Sequence, residues 1–416
     1  MVTSTNTVTQ LNGLYKEVYA DNVKNLMPEG FKLYNMIDFA ESERLGSNYH
    51  QPVILSHEHG FTFGGSAGDA FALNEAVAAV NKDAQVSGYE MVLRTYLSVG
   101  AISRSVAGKS GSAAKSAFIS ASKLRVENMF KSFVKRIEVL MLYGQTSLAE
   151  IDSVSGAVLT IETYAWAPGI WVGAENMPIE VRDANGVLRG FASVSSVDLT
   201  ARTITLDALP SGTVAQDLLH YKGAYGNEFA GIHKIITNSG SLFGISAATY
   251  SLWTGNTVNA GTDATTNAAT LTFAMVEGAV SKSMEKGLDG DAVLLCNPGS
   301  WKNLLSEQAA KRAYDNSYSA AQMENGSKSI KFHSQVGLIE IVASIYCKEG
   351  FCYLFPKNDF KRIGSRDISF DLPGFEGQFV KPMESANALE IRAYSDQALF
   401  TSFPGKCALI RYVKNG

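Results

Sequence analysis

Cysteine is scarce and never paired in spacing: the four thiols, Cys296, Cys347, Cys352 and Cys407, lie in apolar, strand-like segments and none completes a CxxC. That excludes a disulfide framework and a thiolate zinc site, and leaves four buried free thiols. Long apolar runs are missing too. Val139–Leu142 is typical of the longest, far short of the roughly 20 residues that span a bilayer. The N-terminal stretch is polar, without the apolar core of a secretion signal, so the chain reads as one made and used in a cytoplasm. Neither sign of charge dominates. Lys and Arg number 36 against 40 Asp and Glu, a net charge of −4 that gives no global pull toward nucleic acid. Catalytic signatures are absent as well: there is no Gly-x-Ser-x-Gly elbow, and no cysteine has a histidine near it in sequence. Gly108-Lys109-Ser110 sits between a strand-like run and the start of a helix, where a phosphate loop belongs, but Ser103 stands where the Walker pattern needs glycine. No later apolar strand ending in Asp supplies a magnesium partner, so the tripeptide reads as the chemistry of a helix start.

What is present is a chain of 416 residues, 46% hydrophobic and 18% charged, enough for one large core or two to three domains. Residues 1–46 are polar and weakly periodic, with one short helix predicted around 12–25, and read as an arm. From Asn48 to Phe63 the pattern is extended, and Tyr49, Gln51, Val53, Leu55, His57, His59, Phe61 and Phe63 share one face under a strand's two-residue period. A second extended run, Ala84 to Val106, answers it across a tip rich in small residues, Gly64 to Gly68. Such a hairpin has little core of its own and needs another surface to rest on.

His57 and His59 raise the question of a metal, since two neutral imidazoles two residues apart on a strand are good borderline ligands. Two ligands do not make a site. Gly60, Phe61, Thr62 and Phe63 follow where a further Glu and His are needed, His50 falls on the opposite face, and His220, His233 and His333 lie in other segments. The pair reads as exposed polar groups on a long hairpin.

The clearest helix runs from about Ser112 to Tyr143, where Ile119, Val126, Met129, Phe130, Phe133, Ile137, Leu140 and Met141 recur at three- and four-residue steps and Gly144 is placed as a stop. Lys123, Glu127, Lys131 and Lys135 step by four on the other side. At about 30 residues the helix is some 45 Å long, a structural spine. Arg104, Lys109, Lys115, Lys123, Arg125, Lys131, Lys135 and Arg136 outnumber Glu127 and Glu138 along it. That ridge is a solvated face, or one that also softens contact with a polyanion.

Residues 151–228 break into short β-type runs divided by Gly169, Gly173, Asn185-Gly186 and Pro210-Ser211-Gly212, which predicts a small, separate barrel or sandwich built from hairpins. Beyond Gly231 the pattern is mixed: a helix from about Thr270 to Lys286 ending at Gly287, a buried strand Ala292–Cys296, and a helix beginning at Trp301 with Ser300 as its cap. Leu338–Ala343 and Phe351–Phe355 are predicted to form a hairpin about Lys348-Glu349-Gly350. Ala388 to Val413 reads as two strands broken at Pro404-Gly405.

In this order of parts the chain resembles the major capsid proteins of tailed bacteriophages, the Hong Kong 97-type fold. The residues that carry the resemblance are Ala292-Val293-Leu294-Leu295-Cys296-Asn297-Pro298-Gly299-Ser300-Trp301-Lys302-Asn303-Leu304, similar to the strand, Asn-Pro and helix of that family's axial domain. Gly337–Val342 with the hairpin after it, and Ile391–Ser395 through Ala398–Phe400 to Pro404 and Cys407–Ile410, resemble its late strands. The resemblance implies an α+β fold with an N-terminal arm (1–46), an extended loop (47–100), a peripheral domain (101–150 and 357–416) and an axial domain (229–356). Residues 151–228 depart from the minimal family pattern and would be an inserted β domain projecting from the shell.

The function so implied is structural, with no catalysis, cofactor, metal or membrane. The chain would self-assemble as hexamers and pentamers into the icosahedral head of a virion, put together in the host bacterial cytoplasm. A portal, a separate scaffolding protein and a decoration protein are implied partners. His57, His59, Gly60, Phe61, Phe63, Gly64, Gly65, Phe71, Tyr89 and Tyr96 on the extended loop would lie over a neighbouring subunit, their aromatics supplying apolar area. Lys123, Arg125, Lys131, Lys135 and Arg136 would form an inner basic face in non-specific contact with packaged double-stranded DNA. Two alternatives are a phage tail or surface-binding protein, which the long spine helix disfavours, and a metal-dependent enzyme with a β accessory domain.

Overall fold

The structure is a computed structural model and describes residues 30–41, 48–61, 78–98, 112–312, 330–370, 380–384 and 388–415. The short helix expected around 12–25, the loop tip from Thr62 to Val77 and Gly108-Lys109-Ser110 lie outside the described residues. The first half of the chain contributes α1 (Lys32–Met36), β1 (Phe39–Glu41), β2 (Asn48–Ile54), β3 (Asn81–Ser87), β4 (Tyr89–Ser98) and the spine, α2 (Ser112–Tyr143). It continues through β5 (Ala149–Ser155), β6 (Val158–Ile161), α3 (Pro168–Trp171), β7 (Pro178–Arg182), β8 (Leu188–Asp198), β9 (Thr203–Leu206) and β10 (Leu218–Tyr221). The second half adds α4 (Ile232–Thr237), β11 (Ser241–Leu242), β12 (Ile245–Ser246), β13 (Asn256–Asn259), α5 (Phe273–Met284), β14 (Ala292–Cys296) and α6 (Pro298–Arg312). The remaining strands are β15 (Ile330–His333), β16 (Leu338–Ala343), β17 (Phe351–Phe355), β18 (Phe360–Ser369), β19 (Val380–Pro382), β20 (Ala388–Thr401) and β21 (Ala408–Arg411).

Strands β5 to β10 close into a six-stranded barrel in the order β10-β5-β6-β9-β8-β7. Closure removes the open edges that such short strands would leave. Alternate residues point inward, and Ile151, Leu159, Ile161, Val181, Ile204 and Leu219 are buried in its centre. The turn between β7 and β8 follows from its residues: the Asp183 carboxylate accepts the N–H groups of Asn185 (2.9 Å) and Val187 (2.8 Å), and Gly186 takes φ +83°.

A second, six-stranded sheet has the order β13-β21-β17-β14-β16-β15. All five residues of β14 are buried. Val293 and Leu295 face one core, shared with the spine, while Ala292, Leu294 and Cys296 face another, under α5 and α6. A continuous apolar run is what a strand covered on both faces requires. Three expectations are corrected here. The runs 338–343 and 351–355 do not pair with each other, because β14 lies between them, parallel to β16 and antiparallel to β17. Helix α6 starts at Pro298, not Trp301: Asn297 accepts the Gly299 N–H at 2.9 Å, and Ser300 is buried, donating to Asn415 at 2.7 Å. Finally, 357–416 does not stay in the peripheral part, since β21 enters this sheet between β13 and β17.

The third sheet is built around β20, which pairs with β18 and β19 and, over Ala388–Gln397, with β4; β1 adds to β18 in parallel. The spine packs between all three bodies. From Phe133 to Tyr143 every residue except Lys135 and Arg136 is buried, so its last three turns are covered nearly all round and not striped, whereas Phe130, placed on the apolar face by periodicity, is 42% exposed. The four cysteines are free and buried.

Candidate assembly surface

The two-stranded arm is made by β2 and β3, in register from Asn48 opposite Ser87 to Ile54 opposite Asn81. Its inward positions seat it on the body: Ala84 and Val86 are buried, and the Tyr49 ring meets the Phe400 ring edge-on with centroids 5.7 Å apart. Phe243, at the tight turn between β11 and β12, packs on the other side of that contact, 5.4 Å from Phe400, and its carbonyl accepts the Gln85 N–H at 2.9 Å. The arm's base therefore has a core, supplied by its own chain. Farther out, Gln51 to Leu55 run over a groove of about 490 Å³ shared with Trp253, Lys286 and Phe403.

The outer end is a different environment. Strand pairing ends at Ile54, with one more bond from the Leu55 N–H to the Val80 carbonyl (2.8 Å), so the strand expected from 48 onward stops before His57. His57, Glu58, His59, Gly60 and Phe61 are all exposed, Phe61 at 78%, and Ile54 beside them at 72%. No group of three or more metal-ligating side chains occurs among the described residues. Phe63, Gly64, Gly65 and Phe71 lie outside the described residues.

Tyr89 and Tyr96 are not on the arm. The chain leaves it at Gly88 and enters the β20 sheet, where Tyr89 stands opposite Gln397 and Tyr96 opposite Glu390. Tyr96 remains half exposed, as does Val92, on a strand that pairs on one side only among the described residues. They belong to a surface adjoining the arm.

The basic stripe of the spine also divides. Lys123 and Arg125 lie on α2. Lys135 and Arg136 turn toward the barrel base: the Lys135 ammonium donates to the Val172 carbonyl at 2.7 Å, and the Arg136 guanidinium lies 3.3 Å above the centre of the Tyr221 ring. Burial, and then Arg136, lower the Lys135 pKa to about 8. Lys131 lines the same cavity. This corrects the expectation of one continuous basic face, because two of its five members are interdomain groups.

Two positioning features had no sequence signal. Glu138, fully buried on the spine, accepts the backbone N–H groups of Leu33 (2.9 Å) and Tyr34 (2.6 Å) at the start of α1, and burial raises its pKa to about 7. Arg362, buried on β18, donates to the Ile37 carbonyl (2.9 Å), Asp367 (3.0 Å) and Gln397 (3.2 Å) while stacking on Tyr34. Together they fix the incoming N-terminal segment to the spine and the β20 sheet. Periodicity marks a Glu in an apolar stripe only as an exception; its partners lie more than 100 residues away.

No protein-family model matches the chain, and no curated protein matches it. Solved structures do. A chain of the cyanophage A-1(L) capsid asymmetric unit aligns with a TM-score of 0.59 at 12% identity, covering 98% of this chain and 99% of that one. A capsid chain of a native GTA particle (TM-score 0.49, 9% identity, 99% and 100% covered) and a chain from Mycobacterium phage Bobi (0.46, 10%, 99% of each) are similar over the same extent. With the spine helix, the two-stranded arm, the β20 sheet and the six-stranded sheet in this order, the chain has the Hong Kong 97-type capsid fold, interrupted by a closed six-stranded β-barrel.

Proposed function

We propose that the chain is the major capsid protein of a tailed phage, a coat subunit that self-assembles as hexamers and pentamers into the icosahedral head around a DNA genome. The observation that carries this reading is likeness to a capsid chain over 98% of the sequence. The arm supports it: a ribbon seated at its base, with Ile54 and Phe61 exposed toward its end, is suited to lying across a second copy. On this reading His57, His59, Gly60 and Phe61 meet the neighbouring subunit through the arm, and Tyr96 meets a copy through the edge of β4. The barrel, whose strands pair with neither large sheet, offers a surface for a decoration protein. The portal and a separate scaffolding protein complete the assembly in the host cytoplasm, and the N-terminal half of the spine, with Lys123 and Arg125, is the part left to meet packaged double-stranded DNA.

The test is negative-stain electron microscopy with sedimentation velocity on the purified protein, alone and co-expressed with a phage scaffolding protein. Shells, tubes or capsomer sheets are expected. A discrete monomer or small oligomer under both conditions overturns the reading. A variant in which 57–78 is replaced by a short glycine turn keeps β2 paired with β3 and should remain folded by circular dichroism while losing assembly. Normal shells from that variant would remove the arm from the interface.

A further inference from the structure

Strand β4 lies opposite β20 over ten consecutive residues, Tyr89 to Ser98, with no bulge in the register. Among the described residues its other edge pairs with nothing. A long, straight edge without proline leaves a row of backbone N–H and C=O groups that a further strand would satisfy. Its side chains alternate: Tyr89, Met91, Leu93 and Thr95 are half-buried, the first three against the main core, while Glu90, Val92, Arg94 and Tyr96 are exposed, Val92 at 45% and Tyr96 at 51%. The space beside Glu90–Leu93 is an open groove of about 470 Å³. Its far walls mix Phe133 and Leu140 with Arg136, Lys222 and Glu228, so they favour neither sign of charge. Arg94 already has Glu390 near it on β20; what discriminates is the order of charges along the strand, not a charge without a partner.

We propose that the free edge of β4 pairs antiparallel with the same edge of a second copy, about a two-fold axis through Val92. Self-complementarity identifies the occupant. With exposed residues facing exposed ones and core-side residues facing core-side ones, the register centred on Val92 sets Glu90 opposite Arg94 of the copy, twice over, and Met91 opposite Leu93. Tyr96 then falls opposite Gly88, which has no side chain to crowd its ring. The neighbouring registers that keep the faces matched set Glu90 opposite Val92 or Tyr96 and lose both ion pairs. Like charges would blunt an edge against its own kind. Opposite charges placed symmetrically about an exposed Val select that kind. The contact rests on the coat reading only for its setting: an icosahedral shell supplies two-fold axes between copies and holds them at high local concentration, so a pairing weak in dilute solution is made there.

Disulfide trapping on the full-length protein tests this, the native thiols being buried. Val92→Cys places a thiol opposite its own copy; Tyr96→Cys, similarly exposed, places the two thiols several residues out of register and sets the rate of random collision. With copper phenanthroline as oxidant, Val92→Cys should form dimers roughly tenfold faster than Tyr96→Cys, in concentrated solution and in shells. Adding Glu90→Arg sets like charges against each other and should slow dimer formation about fivefold in solution; adding Arg94→Glu as well restores both pairs and should restore the rate. Val92→Cys no faster than Tyr96→Cys in both settings, or a rate indifferent to the charge swaps, overturns the pairing, while shells that form normally leave the coat reading standing. Charge-dependent dimers from a protein that makes no shells leave the pairing standing and remove the coat reading. Hydrogen exchange on the dilute monomer addresses the remaining occupant. Every second amide of 89–98 is expected to exchange quickly, and protection of the whole strand there would assign the edge to a segment of the same chain and overturn the contact.

Discussion

Glu138 shows what one buried carboxylate does to this chain. Folded, it holds its proton up to about pH 7, and unfolded only to the ordinary value near 4.5, so between these limits the folded state carries more protons and stability falls as pH rises. Glu228, where the chain leaves the barrel, is pushed by burial to about 8 and acts in the same direction. Lys348 opposes them: its ammonium, buried over the Tyr143 ring and donating to the Ser147 carbonyl at 2.8 Å, has a pKa lowered by burial to about 7, so it restores stability only as pH rises above that value. Urea midpoints taken from pH 5 to 7 should therefore decline. Glu138→Gln, which cannot titrate, should flatten that decline; an unchanged slope would show that Glu138 is not the group responsible. Glu138→Ala leaves two N–H groups of α1 without their acceptor and should cost about 2 to 4 kcal/mol in urea unfolding.

At the scale of elements, the sharpest constraint is the place where the chain enters and leaves the barrel. Gly231 donates its N–H to the Gly144 carbonyl at 2.9 Å, and a Cβ on Gly144 would stand 2.1 Å from the Phe229 carbonyl oxygen. The glycine expected to stop the spine is needed for that close passage, while Gln145, at φ +59°, takes the left-handed turn. Gly144→Ala should cost roughly 3 kcal/mol or more. Gly278, inside α5 with open space around its Cα, is the contrast: Gly278→Ala should stabilise by about 0.5 to 1 kcal/mol. Thermal melts of the two variants read both signs. Elements whose signal is local were legible in the sequence, the spine from its period, β14 from its unbroken apolar run and the β7–β8 turn from Asp183 to Gly186. What was not legible was pairing across distance. Nothing in 338–355 reveals that an earlier strand separates the two runs, and nothing at Gly88 reveals that the chain changes sheets there, because the extended pattern runs straight through it.

For the whole molecule, the expectation of a separate barrel gives way to one continuous core. Ile151 and Leu219 of the barrel, Ile137 and Met141 of the spine, Leu399 of β20 and Tyr353 of the six-stranded sheet are buried in a single cluster, joined through Trp166, Trp171 and Tyr143. A domain that shares its core this way does not unfold alone. Calorimetry of the unassembled protein should show the barrel melting with the body, and a resolved early transition that disappears when the barrel is deleted would contradict this. The order of parts, legible from the sequence, was enough to suggest the fold; the fusion of their cores was not, because each inward residue looks the same whichever neighbour it meets.

The threading of β21 into the six-stranded sheet has a further consequence, in time. Its partner β13 is made some 150 residues earlier, and β17 some 55 residues earlier, so late in synthesis both wait without the strand that will lie between them. Long-range pairings close slowly, and unpaired strands are templates for unwanted partners. A growing chain is therefore most prone to aggregation just before β21 arrives, and the speed at which that strand finds its slot sets how many subunits reach the soluble pool at all.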